Sequence, residues 1–155
     1  MLLTGSFIAL SLFIASHLVA KWRGVPSWND FRKEIACVYF TTEKLGSVEA
    51  ALRDQFTEHL HKKYRLAFAS PTYIVFLEKS SWRHWGYFYG LKLSVTDQGG
   101  TIVEAHIEPR FVPTGFDSKN FSRFSKELEF FVENLNKAAE LEGSETEISQ
   151  NLKVK

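Results

Sequence analysis

From Leu2 to Ala20 the chain carries no Asp, Glu, Lys or Arg, and most of the run is Leu, Ile, Phe, Ala and Val. As a helix it spans roughly 28 Å at about 1.5 Å per residue, close to the ~30 Å hydrocarbon core of a bilayer. Thr4, Gly5, Ser6, Ser11 and Ser16 are tolerable in such a span, since small hydroxyls bond back to the helix's own carbonyls. His17, the one ionisable side chain, stands a turn from the end, where it stays neutral or reaches the headgroups. Lys21-Trp22-Arg23 follows, a cation–aromatic–cation set typical of a membrane boundary.

A cleaved signal peptide is the rival reading. It needs a basic leader, a shorter apolar core and a small-x-small cleavage site. No Lys or Arg precedes this run, and Leu18 is too large for its place in Leu18-Val19-Ala20. A buried core helix would need a polar face, which the run lacks. The reading carried forward is a retained single-pass anchor. Lys21, Arg23, Arg32 and Lys33 all follow the span, so the positive-inside rule places the rest of the chain in the cytoplasm, at the plasma (inner) membrane. The single cysteine, Cys37, suits a reducing compartment.

This divides the chain into an anchor with its flank (1–23), a linker or short helical turn (24–33), an α+β domain (34–140) and a disordered tail (141–155). Aromatic residues make up 15% of the chain, fourteen of them Phe, which supplies one domain with ample core. Lys plus Arg (19) nearly equals Asp plus Glu (18), so no basic excess argues for nucleic acid.

Pro26 disfavours helix in the residue before it, and Ser27 with Asp30 resembles a helix-start box ahead of a turn over Trp28–Lys33. Ile35–Thr41 is a strand apolar on both faces, expected to be interior or under a helix. Ser47 is expected to cap a helix whose stripe is Val48, Leu52, Phe56, Leu60 and Tyr64. The period then changes to two. Leu66–Ala69 and Tyr73–Leu77 flank a Ser70-Pro71 turn, and two longer strands, Trp85–Val95 and Thr101–Phe111, follow. The odd-numbered residues of both long strands face the core, with Glu104, His106, Glu108 and Arg110 outward. For those faces to coincide the loop must hold an odd number of residues. Asp97-Gln98-Gly99 with Gly99 left-handed satisfies this, and sets Lys92 opposite Glu104. Pro109 cannot donate to a ladder, so the last strand ends or reaches an edge there. Phe121, Phe124, Leu128, Phe131, Leu135 and Ala138 then mark a final helix lying across the sheet.

The fold class is α+β: a transmembrane helix, then one domain with a mostly antiparallel sheet of about five strands covered by two helices, ordered β-α-β-β-β-β-α. That order resembles the helix-grip layout, in which a curved sheet wraps a C-terminal helix over a cavity.

No catalytic constellation, cofactor motif or metal set stands out. His59 and His61 lie about 200° apart around a helix and cannot share an ion. His106 with Glu104 and Glu108 reads as a solvated polar face, and Cys37 as a core thiol. An enzyme is the least supported class. The leading reading is a non-catalytic binding module at the cytoplasmic membrane surface, holding a protein partner or a lipid headgroup. Its candidate contacts are Trp82, Arg83 and Trp85 with Lys62 and Lys63, joined by Arg65 and Lys79 if these cluster. The alternative is a small-molecule or lipid binder with an apolar cavity lined by Tyr87, Tyr89, Phe124 and Phe131.

Overall fold

The computed structural model describes residues 8, 10–15, 18, 24–31, 36–60, 62–79, 86–110 and 118–152, with side chains up to residue 141. Of the opening run, the described residues are helical, and Ile8, Leu10, Leu12, Phe13, Ile14 and Leu18 are 45–66% exposed. Among the described residues no helix is long and apolar enough to cross a membrane. The rest of Leu2–Ala20, and Lys21-Trp22-Arg23, lie outside them.

Five strands, β1 (Ala36–Thr41), β2 (Tyr64–Ser70), β3 (Tyr73–Glu78), β4 (Tyr87–Val95) and β5 (Thr101–Pro109), form one antiparallel sheet in the order β1-β5-β4-β3-β2. Helix α1 (45–60) follows β1, and the long helix α2 (Ser118–Leu152) follows β5. The α+β class and the element order expected from the periodicity are both present.

The β4–β5 hairpin has the expected register, Lys92 opposite Glu104 and Val95 opposite Thr101. The Gly99 amide donates to the Thr96 carbonyl at 3.0 Å, and the Thr96 amide to the Gly100 carbonyl at 2.9 Å. Gly99 has φ +85°, a left-handed conformation that costs a residue with a Cβ about 1–2 kcal/mol.

Helix α1 is α-helical over Leu45–Ala51, passes through a π-helical segment at Leu52–Phe56, and is α-helical again over Thr57–Leu60. It begins before the expected Ser47 cap: the N-cap is Lys44, whose carbonyl accepts the Val48 amide at 3.1 Å. The wide π turn follows from the apolar spacing. On an ideal α-helix each step of four overshoots by about 40°, so the steps from Val48 to Leu60 drift by about 120°. A π turn takes up extra residues, and Val48, Leu52, Phe56 and Leu60 all stay buried.

Those side chains meet Phe121, Phe124, Leu128 and Val132 of α2 over Ile74, Phe76, Tyr89, Leu91, Leu93, Val103, Ala105 and Ile107. Val132 occupies the core position expected of Phe131, which is only partly buried. Helix α2 also continues to Leu152, into the stretch expected to be a disordered tail. Lys137-Ala138-Ala139-Glu140-Leu141-Glu142 is rich in strong helix formers and carries it past its apolar stripe.

Two expectations are corrected. β1 is an edge strand, not an interior one. Its Cys37 and Tyr39 pack on the core, and the Tyr39 hydroxyl donates to the Ser125 carbonyl at 2.8 Å, so the helix half of the expectation holds. Val38 and Phe40 on its other face are 47% and 64% exposed. An apolar strand face looks alike whether tertiary structure covers it or not. Second, the outer face of β5 is not solvated at His106 and Glu108, which are 1% and 5% exposed.

Candidate functional site

The cover over that outer face is residues 24–31, a strap that follows the apolar run and crosses the side of the sheet away from the helices. The expected helix-start box forms: Asp30 accepts the Ser27 amide at 2.8 Å and the Ser27 hydroxyl at 2.7 Å, and a 3₁₀ turn spans Trp28–Asp30. This turn presents Trp28 and Phe31 to the sheet. The Trp28 ring meets His106 edge-on at 4.6 Å and Tyr73 at 5.9 Å, while Lys92 Nζ lies 5.6 Å from its centre. Phe31 forms a second small core with Val75, Leu77 and Phe88. Its ring lies directly on Gly90, where a Cβ would stand 2.8 Å from Phe31 Cζ. The Tyr73 hydroxyl donates to the Pro26 carbonyl at 2.9 Å and pins the strap at its entry. Burial holds the Tyr73 hydroxyl protonated above the usual tyrosine range, and Asp30 adds to the shift.

Beside the strap's entry lies a cavity of about 160 Å³ lined by Val25, Arg65, Leu66, Ala67, Leu77, Phe88 and Arg110. Its geometry follows from register. Arg65, Leu77, Phe88 and Glu108 are successive cross-strand partners on β2, β3, β4 and β5, and so share one face. Arg110 follows β5, its amide held by the Gly86 carbonyl at 3.2 Å. The long side chains of Arg65 and Arg110 thus border one hollow floored by Leu77 and Phe88.

Neither guanidinium has a hydrogen-bond or ion-pair partner among the described residues. Arg110 Nε is buried without a partner, and the guanidinium carbon lies 6.0 Å from the centre of the Phe88 ring. No ion pair joins it to Glu108. Burial first, and the like charge of Arg65 second, push the Arg110 pKa below the ordinary arginine value.

The residues singled out from sequence fall into three groups. Trp82, Arg83 and Trp85 lie outside the described residues, in the connection between β3 and β4. β3 ends and β4 begins at the end of the sheet where Arg65 and Arg110 stand. Lys63 is engaged: its Nζ is 2.8 Å from Oε1 of Glu78, a fully buried carboxylate whose other oxygen accepts the Tyr89 hydroxyl at 2.8 Å. Lys62 is exposed, and its carbonyl accepts Lys79 Nζ at 3.4 Å. Tyr87, Tyr89, Phe124 and Phe131 all belong to or pack against the main core. There the Tyr89 and Phe124 rings stack at 4.2 Å, and Phe56 meets Phe124 and Phe131 at 5.9 and 5.0 Å.

His59 does not approach a metal set; its Nε2 is 2.9 Å from Glu127 Oε2, joining α1 to α2. His106 Nε2 is 2.7 Å from Glu104 Oε1 beneath Trp28. Among the described residues no group of three or more His, Cys, Asp or Glu is placed to hold a metal ion. Arg110 is the residue that sequence reasoning missed as a site candidate. The alternation marked it only as outward-facing, and the signal was its shared face with Arg65, visible once the strand order is known. A scan against protein-family models found no match, and neither did a search of the curated proteins.

Proposed function

We propose that this chain is a single-pass, membrane-tethered binding domain working at the cytoplasmic surface of the inner membrane, with the strap-covered sheet face as its working side. The observation that carries this reading is the docked strap. Pro26 and Phe31 are buried and Trp28 is half-buried, so the apolar run joins the folded domain at a fixed point beside the Arg65–Arg110 cavity. A free linker would leave the domain's orientation open. A docked one turns the same face to the membrane continuously. The exposed apolar side chains of the run's described residues also support the tether, since such surface needs lipid or a partner to cover it. The basic residues from Lys21 to Lys33 favour the cytoplasmic side. Trp82, Arg83 and Trp85, which the sequence sets between β3 and β4, are residue types that suit interfacial contact. The ligand-cavity alternative draws less support, because Tyr89 stacks directly on Phe124.

Alkaline carbonate extraction of membranes carrying the full chain, combined with a topology reporter after Lys155, tests the proposal. The chain should stay with the membrane, and only a reporter that works in the cytoplasm should be active. Release by carbonate, or activity of a periplasmic or lumenal reporter, overturns it.

A further inference from the structure

We propose that the cavity between Arg65 and Arg110 binds a phosphate ester, presented by a lipid headgroup or by a soluble molecule; only the lipid source rests on the tethering reading above. Three features lead there. The cavity is bordered by two guanidinium groups with no acidic partner among the described residues: Arg65 is exposed, and the Nε of the half-buried Arg110 is enclosed with nothing to accept its proton, although buried polar groups are ordinarily paired. Arg65 stands on β2 and Arg110 just past the end of β5, and both line one hollow, so an anion between them accepts from two directions. A phosphate monoester presents three free oxygens and up to two negative charges to the two forks, whereas a carboxylate presents two oxygens and one charge. Finally, the floor of Leu77 and Phe88 is apolar, and Val25 of the strap lines the cavity beside it. The volume, about 160 Å³, is roughly five times the ~30 Å³ share of a liquid water. It admits an oxyanion together with the first carbons esterified to it.

The Arg110 Nε, enclosed without a partner beside the like charge of Arg65, carries a cost in the free protein that an entering anion relieves. Removing the Arg110 charge should therefore weaken phosphate binding without lowering the stability of the unliganded fold. A merely structural arginine would behave in the opposite way.

The full chain in uncharged detergent micelles is titrated with inorganic phosphate, at ionic strength held constant by chloride, and separately with lysophosphatidic acid or lysophosphatidylcholine mixed into the micelles. Thermal midpoint and tryptophan fluorescence are read. Saturable binding of inorganic phosphate supports a site open to soluble phosphates, whereas saturation by lysophosphatidic acid alone supports the headgroup source. In either case Arg110→Gln and Arg65→Gln should each weaken binding roughly tenfold to a hundredfold, the range for one charge-assisted hydrogen-bonded contact. Arg65→Lys, which keeps the charge and loses the fork, should fall between. Arg123→Gln on α2, outside this cavity, should change nothing. Failure of Arg110→Gln to fold would refute the stability prediction for Arg110, and the two variants at the exposed Arg65 would then decide phosphate binding. Absence of saturable binding by any probe, or unchanged affinity in folded Arg65→Gln, overturns the proposal. Carbonate extraction of the same variants separates the two readings: a chain retained in the membrane that binds no phosphate loses the site and keeps the tether.

Discussion

Gly90→Ala is the sharpest probe of the strap. An added Cβ would sit 2.8 Å from Phe31 Cζ and 3.0 Å from both Cε atoms, distances at which something must move. The obstacle is a side chain rather than backbone, but Phe31 is only 3% exposed and enclosed by Val75, Leu77 and Phe88. Two effects of opposite sign compete. Replacing a strand glycine by alanine in open space gains about 0.5–1 kcal/mol. Forcing extra volume into a packed site costs about 1–3 kcal/mol. The enclosed ring makes the second term win, so Gly90→Ala should destabilise by about 1–2 kcal/mol. In a Phe31→Ala background the obstacle is gone, and the same change should be neutral or stabilising by up to about 1 kcal/mol. That is a coupling of about 2 kcal/mol, within the range for residues in contact. Thermal melts of the four proteins give the cycle, and hydrogen exchange at the Asp30 and Phe31 amides reports whether the strap lifts. Stabilisation by Gly90→Ala alone, or the same effect with and without Phe31, would refute a strap seated on Gly90.

Other outcomes follow from the buried polar groups and the turns. Tyr89→Phe leaves Glu78 Oε2 without its donor in a fully buried site and should cost about 1–3 kcal/mol by denaturant melts; a neutral result would mean that the carboxylate finds another partner. Burial is the first cause holding the hydroxyls of Tyr39, Tyr64, Tyr73 and Tyr89 above the usual range, near 10, in the folded chain. Their stabilisation is therefore full below about pH 10 and falls as pH rises further, because above that value the unfolded chain binds fewer protons than the folded one. Absorbance titration should show these four ionising only with unfolding, and midpoints near 10 in a chain that keeps its native circular dichroism would contradict this. At the hairpin, Gly99→Ala should cost about 1–2 kcal/mol for its positive φ, whereas Gly46→Ala, with open space in a helix, should gain about 0.5–1 kcal/mol. Melts that rank these two in reverse order would count against the hairpin geometry.

The parts of the fold legible in sequence were those built from neighbours along the chain. Alternation from Trp85 to Phe111, with Gly99 at the one place that needs a left-handed residue, leaves a single register that keeps Glu104 out of the main core, and that register is present. The stripe from Val48 to Leu60 predicts which face of α1 is buried, though not that a π turn accommodates its spacing. The misreadings share a cause. Val38 and Phe40 look like core residues by hydropathy, but strand order leaves their face uncovered. His106 and Glu108 look like surface residues, but Trp28 and Phe31 roof that side of the sheet.

The candidate site divides in the same way. By itself the sequence determined an apolar run with basic residues behind it, an antiparallel hairpin, two helices with apolar stripes and the α+β class. Each depends on period, local turn chemistry or charge, over a few residues or one tight loop. Tertiary structure decided that β5 lies between β1 and β4, that the strap crosses the outer face, and that Arg65 and Arg110 border one cavity. Those outcomes depend on contacts between residues remote in the chain. The alternation of a strand states which side chains share a face, but burial of that face depends on which distant segment gains more by covering it than by staying in water.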